Sequence, residues 1–84
     1  MKRVVCYGIN NVTEAYIGYA FARNNYAGCK IDTFENDLGR VLALDKGDCD
    51  VVVVYAQPAS KDGITALKIK STLSGKKIKV DLIM

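Results

Sequence analysis

Histidine and tryptophan are absent from this 84-residue chain, proline occurs once, as Pro58, and no CxxC pair is present. Without histidine the commonest general base is missing, so catalysis would fall to carboxylate, lysine, tyrosine, serine or cysteine. The three cysteines, Cys6, Cys29 and Cys49, are scattered and odd in number. A structural zinc site needs four soft ligands at close spacing, so none is expected, and buried reduced thiols are the simpler reading. No apolar run approaches the roughly 18 residues of a membrane span. MKRVV leads into Cys6-Tyr7-Gly8 rather than into an apolar leader, so a cytoplasmic protein is expected. Repeats, linkers and low-complexity stretches are also missing. No metal and no cofactor are expected.

What is present is an ordinary globular composition, 50% hydrophobic and 25% charged. Residues 1–84 suit one small domain, which buries only roughly 60–65% of its unfolded surface. The net charge of +3 is mild but unevenly spread. Residues 32–50 carry six acids against Arg40 and Lys46, a net of −4, whereas residues 61–84 carry six lysines against Asp62 and Asp81, a net of +4. A lysine-rich end can meet phosphate, and weak, non-specific DNA binding is expected of it at most. A solvated helix face explains the same charges without a partner.

Alternation and apolar runs predict seven elements. Val4 to Tyr7 reads as a strand stopped at Gly8. Asn11-Val12-Thr13-Glu14 carries an asparagine N-cap with glutamate at N3, opening a helix over about 12–25 with Gly28 as its stop. Residues 29–34 alternate as a second strand, and Leu38, Val41, Leu42 and Leu44 space a short helix over 37–45. The continuous run Val51 to Tyr55 (VVVVY) marks a strand buried on both faces, as at the centre of a parallel sheet. A loop over 57–63 then leads to a helix from about Ile64 to Leu73. Its inward residues are Ala66, Ile69 and Leu73, its polar ones Lys61, Thr65, Lys68 and Thr72, and Gly75 ends it. Residues 78–83 form the last strand.

Strands alternating with helices predict an α/β, flavodoxin-like three-layer sandwich. Its four parallel strands take the order 2-1-3-4, which centres the most apolar pair, and three helices cover them. The carboxyl ends of the two central strands then form the natural crevice. Gly8, Asn10 and Asn11 lie there on one loop, and Tyr55, Ser60 and Lys61 on the other. Gly8 lets backbone approach a ligand at a helix N-terminus, yet it equally serves as a turn with Asn11 as the cap. Ser60 with Lys61 supplies a nucleophile and a base in principle, yet Ser60 or Asp62 equally serves to cap the third helix. Neither loop is a GxGxxG or P-loop motif.

Val4 to Glu14 resembles the first strand and helix of serine recombinase N-terminal catalytic domains (resolvases and invertases), whose pattern is VVxYxRxST. Lys46-Gly47-Asp48-Cys49-Asp50 running into VVVVY is similar to that family's third strand, KGDxDVVVVY. Ser60-Lys61-Asp62 resembles the end of its DRLSRD motif, Asp37 resembles an acid that follows its second strand, and Arg40 an arginine that precedes its second helix. The departures fall on the chemistry. Ile9 stands at the family's first arginine, Asn11 at its nucleophilic serine and Lys61 at its last arginine. An amide forms no phosphoester, and lysine makes no planar bidentate clamp on phosphate. The resemblance implies a non-catalytic remnant or a regulatory, interaction module linked to DNA recombination. Response-regulator receiver domains are the alternative. Asp62-Gly63 resembles their helix opening, but Tyr55 stands at the phosphoacceptor and Asn10 and Asn11 at the magnesium carboxylates, implying a pseudo-receiver acting by protein–protein contact. A third likeness, of Tyr7-Gly8 and Thr13-Glu14 to the flavodoxin phosphate loop, lacks that loop's hydroxyl cluster, and flavin binding is not expected.

Two features predict a homodimer. Helix 12–25 carries Tyr16, Ile17, Tyr19 and Phe21, more apolar bulk than one inward stripe needs, which favours it as the contact. Strand 78–83 is expected as an uncovered sheet edge, a template for pairing with another chain.

Overall fold

The computed structural model describes residues 2–34, 36–57 and 60–83, the side chain of Ser60 excepted. Strands β1 (Arg3–Gly8), β2 (Lys30–Thr33), β3 (Val51–Tyr55) and β4 (Lys79–Ile83) alternate with helices α1 (Val12–Asn25), α2 (Leu38–Leu42) and α3 (Ser60–Gly75). All pairings are parallel and the order is β2-β1-β3-β4, the flavodoxin-like α/β arrangement that the sequence pattern predicts.

The chain moves outward from β1 to β2 and then reverses, so right-handed crossovers place α1 on one face and α2 with α3 on the other. The two apolar clusters follow that division. Val4, Cys6, Val51 and Val53 face α1 and pack with Ala22. Val5, Tyr7, Val52 and Val54 face the other way and pack with Val41, Ile69 and Leu73. Both central strands are therefore apolar on both sides, which is why VVVVY shows no alternation. Helix α1 sits close to the sheet because its inward residues are small. Ala15, Gly18 and Ala22 are buried, and a Cβ on Gly18 would reach Val53 Cγ1 at 3.4 Å.

Several boundaries depart from the sequence reading. Helix α3 begins at Ser60 rather than near Ile64, because Ser-Lys-Asp-Gly has no apolar period to signal a helix although Asp62 suits a first turn. Helix α2 is shorter than 37–45: Asp37 is its N-cap, accepting from the Arg40 amide at 3.2 Å. Gly28, with φ +87°, is not the stop of α1, which ends at Asn25. It shapes the turn into β2 instead. Helix α3 ends at Gly75, as the sequence predicts, and the left-handed residue that follows is Lys77, φ 65°. The amides of Lys77 and Ile78 donate to the carbonyls of Ser74 and Leu73, both at 3.0 Å, and buried Ile78 meets buried Leu73. This is a Schellman closure with lysine where glycine is usual. Its neighbour Lys76 turns inward, and its ammonium donates to the carbonyls of Leu42 (2.8 Å), the last residue of α2, and of Leu44 (2.9 Å), two residues beyond it. Among the described residues no helix is long and apolar enough to cross a membrane.

Candidate functional site

The crevice at the carboxyl ends of β1 and β3 is shaped first by Gly8. A Cβ there would fall 2.4 Å from the Ala15 nitrogen and 2.5 Å from the Asn11 oxygen, so only glycine lets β1 turn directly under the first turn of α1. Asn11 then caps that helix, its Oδ1 accepting from the Glu14 amide at 3.1 Å. The reciprocal half of the capping box is missing. Glu14 is 3% exposed, and among the described residues neither carboxylate oxygen has a hydrogen-bond partner.

Asn10 joins the two crevice loops. Its amide nitrogen donates to Asp62 Oδ2 at 2.8 Å, across 52 residues of sequence. Its carbonyl accepts from Asn36 Nδ2 at 2.8 Å, which ties in the segment before α2. The Tyr7 hydroxyl in turn donates to the Asn36 carbonyl at 3.3 Å. Burial, and secondarily the Asp37 carboxylate, pushes the Tyr7 phenol above its ordinary pKa. Below this layer the Ile9 amide donates to the Tyr55 carbonyl at 3.4 Å. Asp62, 7% exposed, lies in the first turn of α3, and Glu14 lies in the first turn of α1. Both positive helix ends that open on the crevice thus hold a carboxylate of the chain itself.

The residues predicted from sequence fall as follows. Gly8, Asn10 and Asn11 come together with Tyr55 at the crevice, Gly8 pairing with Tyr55 in register. Ile9 is half-buried against the apolar cluster on the α2 and α3 side. Lys61 is exposed, and its carbonyl accepts from Thr65 Oγ1 at 3.1 Å. Ser60 opens α3, and its side chain lies outside the described residues. Of the two residues expected as alternative caps for α3, Ser60 or Asp62, Asp62 accepts from Asn10 Nδ2. Arg40 stands away from the crevice on α2, its guanidinium 4.6 Å from the Phe34 ring centre. Sequence reasoning missed Asn36 and the joining role of Asp62. Nothing local marks either residue, since each acts on a loop far away in sequence.

The thiols do not belong to the crevice. Cys6 and Cys49 are buried, and burial, with Asp32 beside Cys6 and Asp48 and Asp50 beside Cys49, raises each to about 11. Among the described residues no three acidic or cysteine side chains gather into a metal site. Grooves also open elsewhere among the described residues. One of about 840 Å³ runs between β2 and α2, past Phe34 and Arg40. Another, about 510 Å³, follows the outer edge of β4 between Tyr26 and Lys70.

Comparison of the chain with family models, curated proteins and solved structures gives no significant match. The fold and the crevice geometry therefore carry the functional reading.

Proposed function

We propose that this chain is a non-catalytic α/β interaction module, related to serine recombinase catalytic domains but stripped of their chemistry. The observation that supports this most is the 2.8 Å bond between Asn10 and buried Asp62. A reaction centre keeps polar groups aimed at a substrate, whereas here Asn10, Asn11, Asn36 and Asp62 are committed to one another or to backbone. Asn11, at the family's nucleophile position, is a helix cap. The helix N-termini, which would favour a phosphate, already carry Asp62 and Glu14.

Such a module works by contact, and a second copy of the chain is the proposed partner. Two surfaces suit it. On α1, Tyr16 and Ile17 are 57% and 44% exposed, while Tyr19 and Phe21 pack partly against the core. On the sheet, β4 is an edge. DNA contact is at most non-specific, with dissociation constants on the order of 10 μM or weaker. Lys76 is held by two carbonyls and is not freely available to phosphate.

Incubation with supercoiled plasmid followed by a denaturing gel tests the reading. The expected result is intact plasmid and no covalent adduct. An adduct that disappears in Ser60→Ala would overturn it. Labelling by acetyl phosphate, or saturable magnesium-dependent shifts of the Gly8–Asn11 amides, would favour an active receiver instead.

A further inference from the structure

The backbone groups of β4 alternate between the sheet and its outer edge. The Lys79 amide donates to the Asp50 carbonyl at 3.2 Å, and the Ile83 carbonyl accepts from the Ala56 amide at 2.9 Å. Residues 79, 81 and 83 therefore turn their backbone groups toward β3. Because backbone direction alternates along a strand, Val80 and Leu82 turn theirs outward. Among the described residues no strand pairs with that edge. The groove of about 510 Å³ lies along it.

We infer that β4 pairs antiparallel with β4 of a second copy, about a two-fold axis through Val80, in a sheet continuous across both chains. The inference rests on the reading of the chain as a self-associating module and adds the contact and its register. Outward-facing residues must oppose outward-facing residues, which leaves few registers. Centring on Asp81 or on Lys79 sets like charges directly opposite, which destabilises a strand pair. Centring on Leu82 leaves Lys79 without an opposing residue in the strand. Centring on Val80 sets Lys79 opposite Asp81 of the second copy twice over, and Ile78 opposite Leu82. Val80 then exchanges two backbone bonds with its counterpart. Each Leu82 amide reaches the opposing Ile78 carbonyl, while the Ile78 amide stays with Leu73 of its own chain.

The structure already orients the charged pair. Asp81 accepts from the Tyr26 hydroxyl, and Lys79 lies 3.9 Å from Asp81 and 5.7 Å from the Tyr26 ring centre. Lys70 flanks the same edge, so two copies bring like charges near each other and association stays weak. Two-fold pairing uses the single open β4 edge of each copy, so pairing through β4 closes at a dimer.

Sedimentation of the 84-residue protein over rising concentration is the first measurement, with a monomer–dimer equilibrium expected. Val80→Pro removes an outward amide that the monomer does not use, so it is expected to keep the melting temperature and weaken the dimer at least about tenfold. Should that variant melt early, charge exchange carries the test. Lys79→Asp and Asp81→Lys each set like charges opposite when alone, and the two mixed together are expected to form a heterodimer. In a Cys29→Ser background, Val80→Cys is expected to oxidise to a disulfide-linked dimer and Leu82→Cys to remain monomeric on a non-reducing gel.

A dimer unaffected by Val80→Pro or by either charge variant would overturn the β4 contact and leave self-association through α1. Crosslinking by Leu82→Cys but not by Val80→Cys would overturn the register. A monomer up to near-millimolar concentration would overturn the pairing altogether, while the plasmid assay would still decide the non-catalytic reading.

Discussion

Gly8→Ala has a cost that can be worked from the structure. The added methyl would sit 2.4 Å from the Ala15 nitrogen, 2.5 Å from the Asn11 oxygen and 2.7 Å from Glu14 Cβ. Comfortable separations are about 3.5–4.0 Å, so roughly an ångström must be found. None of the three neighbours can rotate away, since two are backbone atoms and the third is bonded to backbone. Helix α1 would have to lift as a unit, which loosens Gly18 from Val53 and strains the Asn11 cap. Overpacking costs about 1–3 kcal/mol in sites that can adapt, and this rigid one is expected at about 3 kcal/mol. For a domain of this size that corresponds to a fall of at least about 12 °C in melting temperature. Gly18→Ala is the control within the same helix. Its methyl meets Val53 Cγ1 at 3.4 Å, a contact that a small shift relieves, and alanine gains about 1 kcal/mol of helix propensity. Its melting temperature is expected to stay level or rise. Thermal unfolding followed by circular dichroism reads both variants. A Gly8→Ala protein melting within about 2 °C of the parent would refute the close approach of β1 to α1.

Three further outcomes are expected. Lys76→Met removes two charge-assisted bonds to the Leu42 and Leu44 carbonyls and is expected to lower stability by about 2 kcal/mol in urea titration. Lys77→Gly relieves a left-handed lysine and is expected to raise stability by about 1 kcal/mol in the same titration. Cys6 and Cys49 have thiols raised from 9.0 to about 11 in the fold, so a colorimetric thiol reagent at pH 8 is expected to modify Cys29 readily and the other two only on unfolding. Because their folded pKa lies above the unfolded one, the stability they contribute is complete below pH 9 and is lost as pH rises toward 11. An alkaline unfolding series that stays flat across that interval would contradict this.

The fold was legible because its signals are local. The VVVVY run, the alternation of residues 29–34, the Asn11 cap and the spacing of Ala66, Ile69 and Leu73 each specify an element within a few residues. Together they order the sheet, since the doubly buried strands must be central. Boundaries that depend on polar residues were less legible. Ser60 to Gly63 begins a helix without any apolar period, and Lys77 adopts the left-handed turn beside an available Gly75. The crevice was legible as a place but not as a structure. Asn10, Asn36 and Asp62 are surface-type residues by composition. What makes them one unit is hydrogen bonding across 26 and 52 residues, which only the folded sheet brings about.

The central claim is that the crevice side chains serve the fold rather than a reaction, and a double-mutant cycle on Asn10 and Asp62 tests it most directly. Residues held for chemistry commonly cost stability, and replacing them stabilises the protein. Residues that lock two loops together do the reverse. Asn10→Ala leaves buried Asp62 without its described partner, and Asp62→Ala leaves the Asn10 amide without its own. Each single change is expected to destabilise the protein, and the pair to couple by at least about 1 kcal/mol, measured by urea unfolding. Additive effects within about 0.5 kcal/mol, or a rise in stability on Asp62→Ala, would contradict the account.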